Sequence, residues 1–195
     1  MAICSGILWQ RRIVRVVLCL SVLLSCLGCT DKDRIAHDIQ QLVSHKVEVP
    51  YGRLVAYRGH NPDKDYSQKA PLKLIVYVDS TECSSCYIGN IRKWEPLLDS
   101  LWVYKDILRV TILLSPSESE RGLAFEKLKY SKFKYPLCID TCNAFASANK
   151  HIPANKVCHI FLLDEDNEVI LVGNPIGNKK INDLLDGILK ERMGE

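Results

Sequence analysis

Cys83-Ser84-Ser85-Cys86 carries the residue types and spacing best suited to chemistry in this chain. Two thiols three positions apart on a helix lie about one turn apart, so each sulfur can reach the other. Such a pair cycles between dithiol and disulfide. A thiolate attacks a client disulfide, and the second thiolate then displaces the client from the mixed disulfide. The thiolate is the reactive form, and backbone N–H groups at a helix N-terminus stabilise it. Cys83, at the helix start, is therefore the expected nucleophile, and Cys86 the resolving thiol. A purely structural disulfide is the plainer alternative, but a Cys-x-x-Cys at a strand-to-helix junction reads as a redox pair.

The elements that must position this pair follow from hydrophobic pattern. Residues 72–78 form an apolar, β-branched run ending just before the dithiol, and 84–100 can form a helix. Ile88, Ile91, Trp94 or Glu95, and Leu98 recur on one helix face, while Pro96 predicts a kink near Arg92 and Lys93. Residues 107–114 read as a buried parallel strand, and Ser117 as the cap of a helix over 118–130. A short strand at 137–140 and a helix at 142–149 come next. Two strands, 158–163 and 168–172, flank the turn Asp164-Glu165-Asp166-Asn167, and a last helix covers 181–192. Upstream, 31–46 is an amphipathic helix, 47–57 holds β-formers around Pro50 and Gly52, and 59–71 is a turn-rich loop. The order β-α-β-α-β-α-β-β-α predicts an α/β sandwich with a mixed central sheet flanked by helices.

With a Cys-x-x-Cys at its first core strand-to-helix junction, this order resembles the thioredoxin-like thiol-disulfide oxidoreductases. The likeness is to the membrane-anchored extracytoplasmic type and the related peroxiredoxin branch. It rests on Val76-Tyr77-Val78-Asp79-Ser80-Thr81-Glu82-Cys83-Ser84-Ser85-Cys86, on Tyr135-Pro136-Leu137-Cys138-Ile139-Asp140, and on Ile160-Phe161-Leu162-Leu163-Asp164 with 169–173. It covers about residues 72–190 and implies a thioredoxin-like sandwich with Cys83 and Cys86 catalytic. Two positions depart from the pattern. Cys158 stands where the family usually has a cis-proline, and a trans peptide is expected there because a non-proline cis bond costs several kcal/mol. Tyr77 stands where many members carry a buried acid, six residues before the nucleophile. Asp79 and Glu82 are the acids nearer in sequence, and an acid close to Cys83 opposes its ionisation.

The first residues read as a leader. Arg11, Arg12 and Arg15 form a positive start, and the apolar stretch from Ile13 to Leu24, broken mainly by Arg15 and Ser21, is too short to span a bilayer and ends in Leu23-Leu24-Ser25-Cys26-Leu27-Gly28-Cys29. That ending resembles the lipobox of bacterial lipoproteins, with Cys26 or Cys29 as the acylated residue. Three segments follow: a signal and anchor region at 1–29, an N-terminal helix and linking extension at 30–71, and a thioredoxin-like domain at 72–195. The formal charge of +3 belongs partly to the leader, and no Lys/Arg cluster is interleaved with aromatics, so no nucleic-acid partner is expected.

Of nine cysteines, four (Cys4, Cys19, Cys26, Cys29) fall in the leader and five (Cys83, Cys86, Cys138, Cys142, Cys158) in the folded part, so the folded five cannot all pair internally. Export to an oxidising compartment permits disulfides. Cys138 and Cys142 are close enough in sequence to pair, or are independently buried. Cys158 and His159 are the accessory candidates. In the resembled fold they lie in a loop facing Cys83, where Cys158 could form an alternative disulfide or a soft metal site with His159 and the dithiol; otherwise Cys158 is a small buried hydrophobe. His37, His45, His60 and His151 read as solvent-facing or loop residues.

The resulting expectation is an exported, lipid-anchored thiol-disulfide oxidoreductase of the bacterial cell envelope, facing the periplasm or the exterior. Its partners are protein or small-molecule disulfide or thiol clients, a separate electron donor or acceptor, and the membrane through its anchor. No cofactor and no resident metal is expected. The alternatives are a peroxiredoxin-like peroxidase, which lacks here the usual Pro-x-x-x-Thr/Ser-x-x-Cys setting, and a metal-binding or adaptor module of the same fold.

Overall fold

The computed structural model describes residues 31–59, 61–63, 66 and 70–194. Cys4, Cys19, Cys26, Cys29 and the rest of the leader lie outside the described residues, as does His60. The chain divides into two compact units, residues 1–37 and 38–195. Helix α1 (Asp31–Val43) runs across that boundary, and in the first unit Arg34 pairs with Asp31 at 2.7 Å. No described helix is long and apolar enough to cross a membrane.

The second unit is built on β3 (Leu72–Val78), whose sequence Leu-Lys-Leu-Ile-Val-Tyr-Val is apolar at six positions of seven. A strand covered on both faces needs such a run rather than alternation. It pairs in parallel with β4 (Leu108–Leu114), from Leu72 opposite Leu108 to Val78 opposite Leu114. On its other edge it pairs antiparallel with β6 (Ile160–Leu163), which turns back into β7 (Val169–Val172). Beyond β4 lies β5 (Leu137–Ile139), parallel to it, and then an antiparallel hairpin of β1 (Val55–Arg58) and β2 (Asn61–Pro62). The sheet order is therefore β2-β1-β5-β4-β3-β6-β7. β2 falls inside the segment read from sequence as a turn-rich loop, and β1 occupies only the end of the 47–57 segment, behind a 3-10 turn at Tyr51–Arg53.

Side chains alternate across β3, and each set enters a different core. Val76 and Val78 pack with Ile88, Ile91, Trp94, Ile112, Leu114, Ala124 and Leu128. Ile75 and Tyr77 pack on the other face with Leu42, Leu113, Cys138, Phe145, Cys158 and Phe161. The helix expected over 84–100 is three pieces: α2 (Ser84–Gly89), a 3-10 turn (Ile91–Trp94) and α3 (Glu95–Leu101). Pro96 stands in the first turn of α3, where its missing N–H leaves no helix bond broken, and the break begins upstream of it at Asn90. The other helices are α4 (Glu118–Tyr130), α5 (Ala144–Ala148) and α6 (Lys179–Met193). On α4 and α6, Leu123 and Leu184 are exposed, while Ala124, Leu128, Leu185 and Leu189 are buried. The strand expected from 158 starts at Ile160, because Lys156–His159 form a 3-10 turn capped by the Asn155 side chain.

Candidate functional site

Cys83 and Cys86 are joined by a disulfide at the point where β3 hands over to α2, with Cα atoms 5.2 Å apart. The loop from Asp79 to Glu82 is set by Asp79, whose carboxylate Oδ1 accepts from the Thr81 N–H at 2.8 Å and from its hydroxyl at 2.6 Å. Cys83 is then the N-cap residue of α2, and its Sγ accepts the Cys86 N–H at 3.2 Å. The same N–H stands ready to donate to a Cys83 thiolate once the disulfide is reduced. Both cysteines are exposed, whereas Ser84 and Ser85 between them are buried. The chain thus turns the sulfurs outward and tucks the spacer inward.

One acid reaches this pair from elsewhere in the chain. Glu120 Oε2 accepts from the Ser85 hydroxyl at 2.9 Å and from the Ser85 N–H at 3.4 Å, and lies 3.9 Å from Cys83 Sγ. The sequence reading did not single out Glu120. Its signal was present: Ser117-Glu118-Ser119-Glu120 has the Ser-x-x-Glu spacing of a helix capping box. Ser117 does cap α4, accepting from the Glu120 N–H at 3.3 Å. The carboxylate, however, extends to Ser85 on α2, so a residue with a helix-start signature becomes an acid beside Cys83. At the position of the usual acid, Tyr77 is buried on the other face of the sheet, against Phe145 and His159, and burial pushes its hydroxyl up to about 12.

The accessory candidates separate. Cys158 is a free thiol, wholly buried in the core on the Tyr77 face, and α2 packs on the opposite face through Ile88. Burial first, and then the charge of Asp38, push its thiol up to about 11. The peptide before it is trans, as no cis bond occurs among the described residues. Cys138 is also free and buried, its thiol pushed up to about 12 by burial, while Cys142 is free and exposed. Those two therefore do not pair. His159 is buried beneath the loop before the dithiol, its Nδ1 3.9 Å from carboxylate oxygens of both Asp79 and Glu82. Lys156 lies over the same loop, 2.5 Å from Asp79 and 3.3 Å from Glu82. His45 and His151, read as solvent-facing or loop residues, stack with ring centroids 4.9 Å apart.

A parallel β3-β4 pair and an antiparallel β6-β7 hairpin followed by a C-terminal helix define a thioredoxin-like fold, with the Cys83–Cys86 disulfide at the end of β3. No family model matches the chain, and no curated protein matches it in sequence. Among solved structures the chain is similar to a domain of a possible thiol-disulfide isomerase from Cytophaga hutchinsonii, with 17% identity over 77% of this chain and 95% of that one and a TM-score of 0.43. It is also similar to the thioredoxin domain of a thiol-disulfide oxidoreductase from Bacteroides vulgatus (14% identity, 69% of this chain and 93% of that one, TM-score 0.42). A third is a thioredoxin-like protein from Bacteroides caccae (13% identity, 85% and 59%, TM-score 0.44). The strand order and the dithiol carry the assignment of the fold.

Proposed function

We propose that this protein is a thiol-disulfide oxidoreductase acting through Cys83 and Cys86, exported and held at the cell envelope by a lipid on Cys26 or Cys29. The observation that carries the redox reading is the exposed Cys83–Cys86 disulfide at the β3–α2 junction, with Cys83 Sγ accepting the Cys86 N–H. In the reducing direction the Cys83 thiolate attacks one sulfur of a client disulfide, which breaks and releases one client thiolate. The Cys86 thiolate then attacks Cys83 Sγ, the mixed disulfide breaks, and the second client thiolate leaves. The client gains two electrons, the protein ends as the Cys83–Cys86 disulfide, and a separate dithiol donor resets it. With a client dithiol as reductant the same steps run backwards. The export and anchor reading rests on the Arg-led apolar stretch and the cysteines that end it.

Turnover of a fluorescent disulfide reporter with a dithiol donor tests the redox reading. The wild-type protein is expected to turn over, Cys83→Ser to be inactive, and Cys86→Ser to accumulate a mixed disulfide. Full activity in Cys83→Ser overturns it. Incorporation of labelled fatty acid in a bacterial host, lost in either Cys26→Ser or Cys29→Ser, tests the anchor and identifies its residue.

A further inference from the structure

Beside the dithiol, and outside the chemistry just described, three potential ligands converge. Asp79, Glu82 and His159 each offer one ligand atom, and these atoms all lie within 4.8 Å of one another. His159 makes the cluster more than a patch of surface acids. Its Nε2 is 3.0 Å from the Pro153 carbonyl, an acceptor only, so Nε2 carries a proton, and in the neutral ring Nδ1 then presents a lone pair. Nδ1 has no hydrogen-bond partner, the residue is 3% exposed, and the lone pair faces two carboxylate oxygens at 3.9 Å. The two carboxylates already face the Lys156 ammonium, but the buried imidazole nitrogen has no partner, and a cation in the gap would serve all three atoms at once.

We propose that Asp79, Glu82 and His159 form a binding site for one divalent first-row transition cation, with Lys156 as its displaceable plug. The donor set is right for such an ion: one imidazole and two carboxylates, whose two negative charges match a doubly charged cation. The ammonium of Lys156 supplies only one positive charge to the same two acids, and it sits on an exposed, flexible arm that can swing out. The supporting contacts of a metal site are also present. The Pro153 carbonyl orients the ring of His159, and Thr81 holds Asp79 Oδ1 through two hydrogen bonds and so turns Oδ2 towards the gap. Ligand atoms on one ion at roughly 2.1 Å stand about 3–3.5 Å apart, so binding draws the carboxylates inward by a fraction of an ångström to about one ångström. Glu82, partly exposed, has the freedom to close that distance. The site differs from the soft site weighed from sequence: Cys158 lies in the core on the Tyr77 side, and no sulfur takes part.

Titration of the full-length, oxidised protein with Mn2+, followed by the electron paramagnetic resonance of the free ion, tests the site while the dithiol is closed. The expected result is one ion per chain. Glu82→Gln should weaken binding about 10–100-fold, and His159→Gln at least as much. Lys156→Met should tighten it about two- to fivefold, since an exposed ion pair no longer competes. Should His159→Gln fail to fold, the partly exposed Glu82 and Lys156 variants decide. No uptake by the wild-type protein at millimolar Mn2+, uptake unchanged in Glu82→Gln, or weaker uptake in Lys156→Met overturns the proposal. Because the disulfide stays intact throughout, failure here leaves the oxidoreductase reading untouched.

Discussion

The two exposed cysteines at the end of β3 and the two buried in the core on its Tyr77 face show one residue type put to opposite uses. Cys83 and Cys86 sit outside the core, with a backbone N–H directed at Cys83 Sγ. Cys138 and Cys158 are wholly buried, and burial pushes their thiols up to about 12 and about 11. Reactivity requires both a thiolate and access to it. The first pair has the access, and a backbone donor for a thiolate once its disulfide is reduced; the second is closed off, although Cys158 precedes His159, which lines the loop before Cys83. Position in the sequence is thus a poor guide to which thiol reacts; the face of the sheet decides.

The largest test of this contrast is alkylation of the fully reduced protein. Iodoacetamide at pH 7 should label Cys83, Cys86 and the exposed Cys142 quickly. Cys138 and Cys158 should be protected by at least about a thousandfold, because they react only through unfolding. Peptide mass mapping with and without denaturant measures this. The same burial gives a pH signature. Below the ordinary thiol value of 9.0 these two groups are neutral in both folded and unfolded chains, and the folded state loses nothing. Above it the unfolded chain ionises first, so stability should fall as pH rises from about 9 through about 11 for Cys158 and about 12 for Cys138. Ready labelling of Cys158 in the native protein would break the comparison and bring that thiol back to the site.

A smaller effect probes the charge on the reactive side. Glu120 lies 3.9 Å from Cys83 Sγ, and its carboxylate opposes the thiolate that the Cys86 N–H favours. Glu120→Gln keeps a side-chain oxygen for Ser85 and removes the charge. Alkylation of Cys83 at pH 7 should then speed up by about three- to tenfold. A slower rate in stopped-flow labelling would mean that Glu120 assists Cys83 by accepting its proton.

Much of this arrangement was legible in the residues. The apolar 72–78 run, the Cys-x-x-Cys after it, the cap at Ser117 and the late hairpin are local patterns, and each became the expected element. What was not legible depends on contacts between distant segments. The β1–β2 hairpin is stabilised by pairing with β5, about 80 residues downstream, and Asn61-Pro62 alone reads as a turn. Glu120 has an ordinary helix-start signature, and only the packing of α4 against α2 turns its carboxylate to the dithiol. His159 was singled out for its neighbour Cys158. The 3-10 turn at Lys156–His159 puts the two on different business: the thiol in the core and the ring under Asp79 and Glu82.

The smallest expected effect tests how the reactive side is held. Ser117 caps α4 by accepting the Glu120 N–H, so it fixes the backbone of the residue whose carboxylate touches Ser85. Ser117→Ala removes that bond and should destabilise the protein by about 1 kcal/mol in urea unfolding, the usual cost of losing a helix cap. If Glu120 acts on Cys83 through a fixed position, the loosened helix start should also move the Cys83 alkylation rate part of the way towards that of Glu120→Gln. A loss of stability with an unchanged rate would show that the Ser85 hydrogen bonds hold the carboxylate without help from the cap.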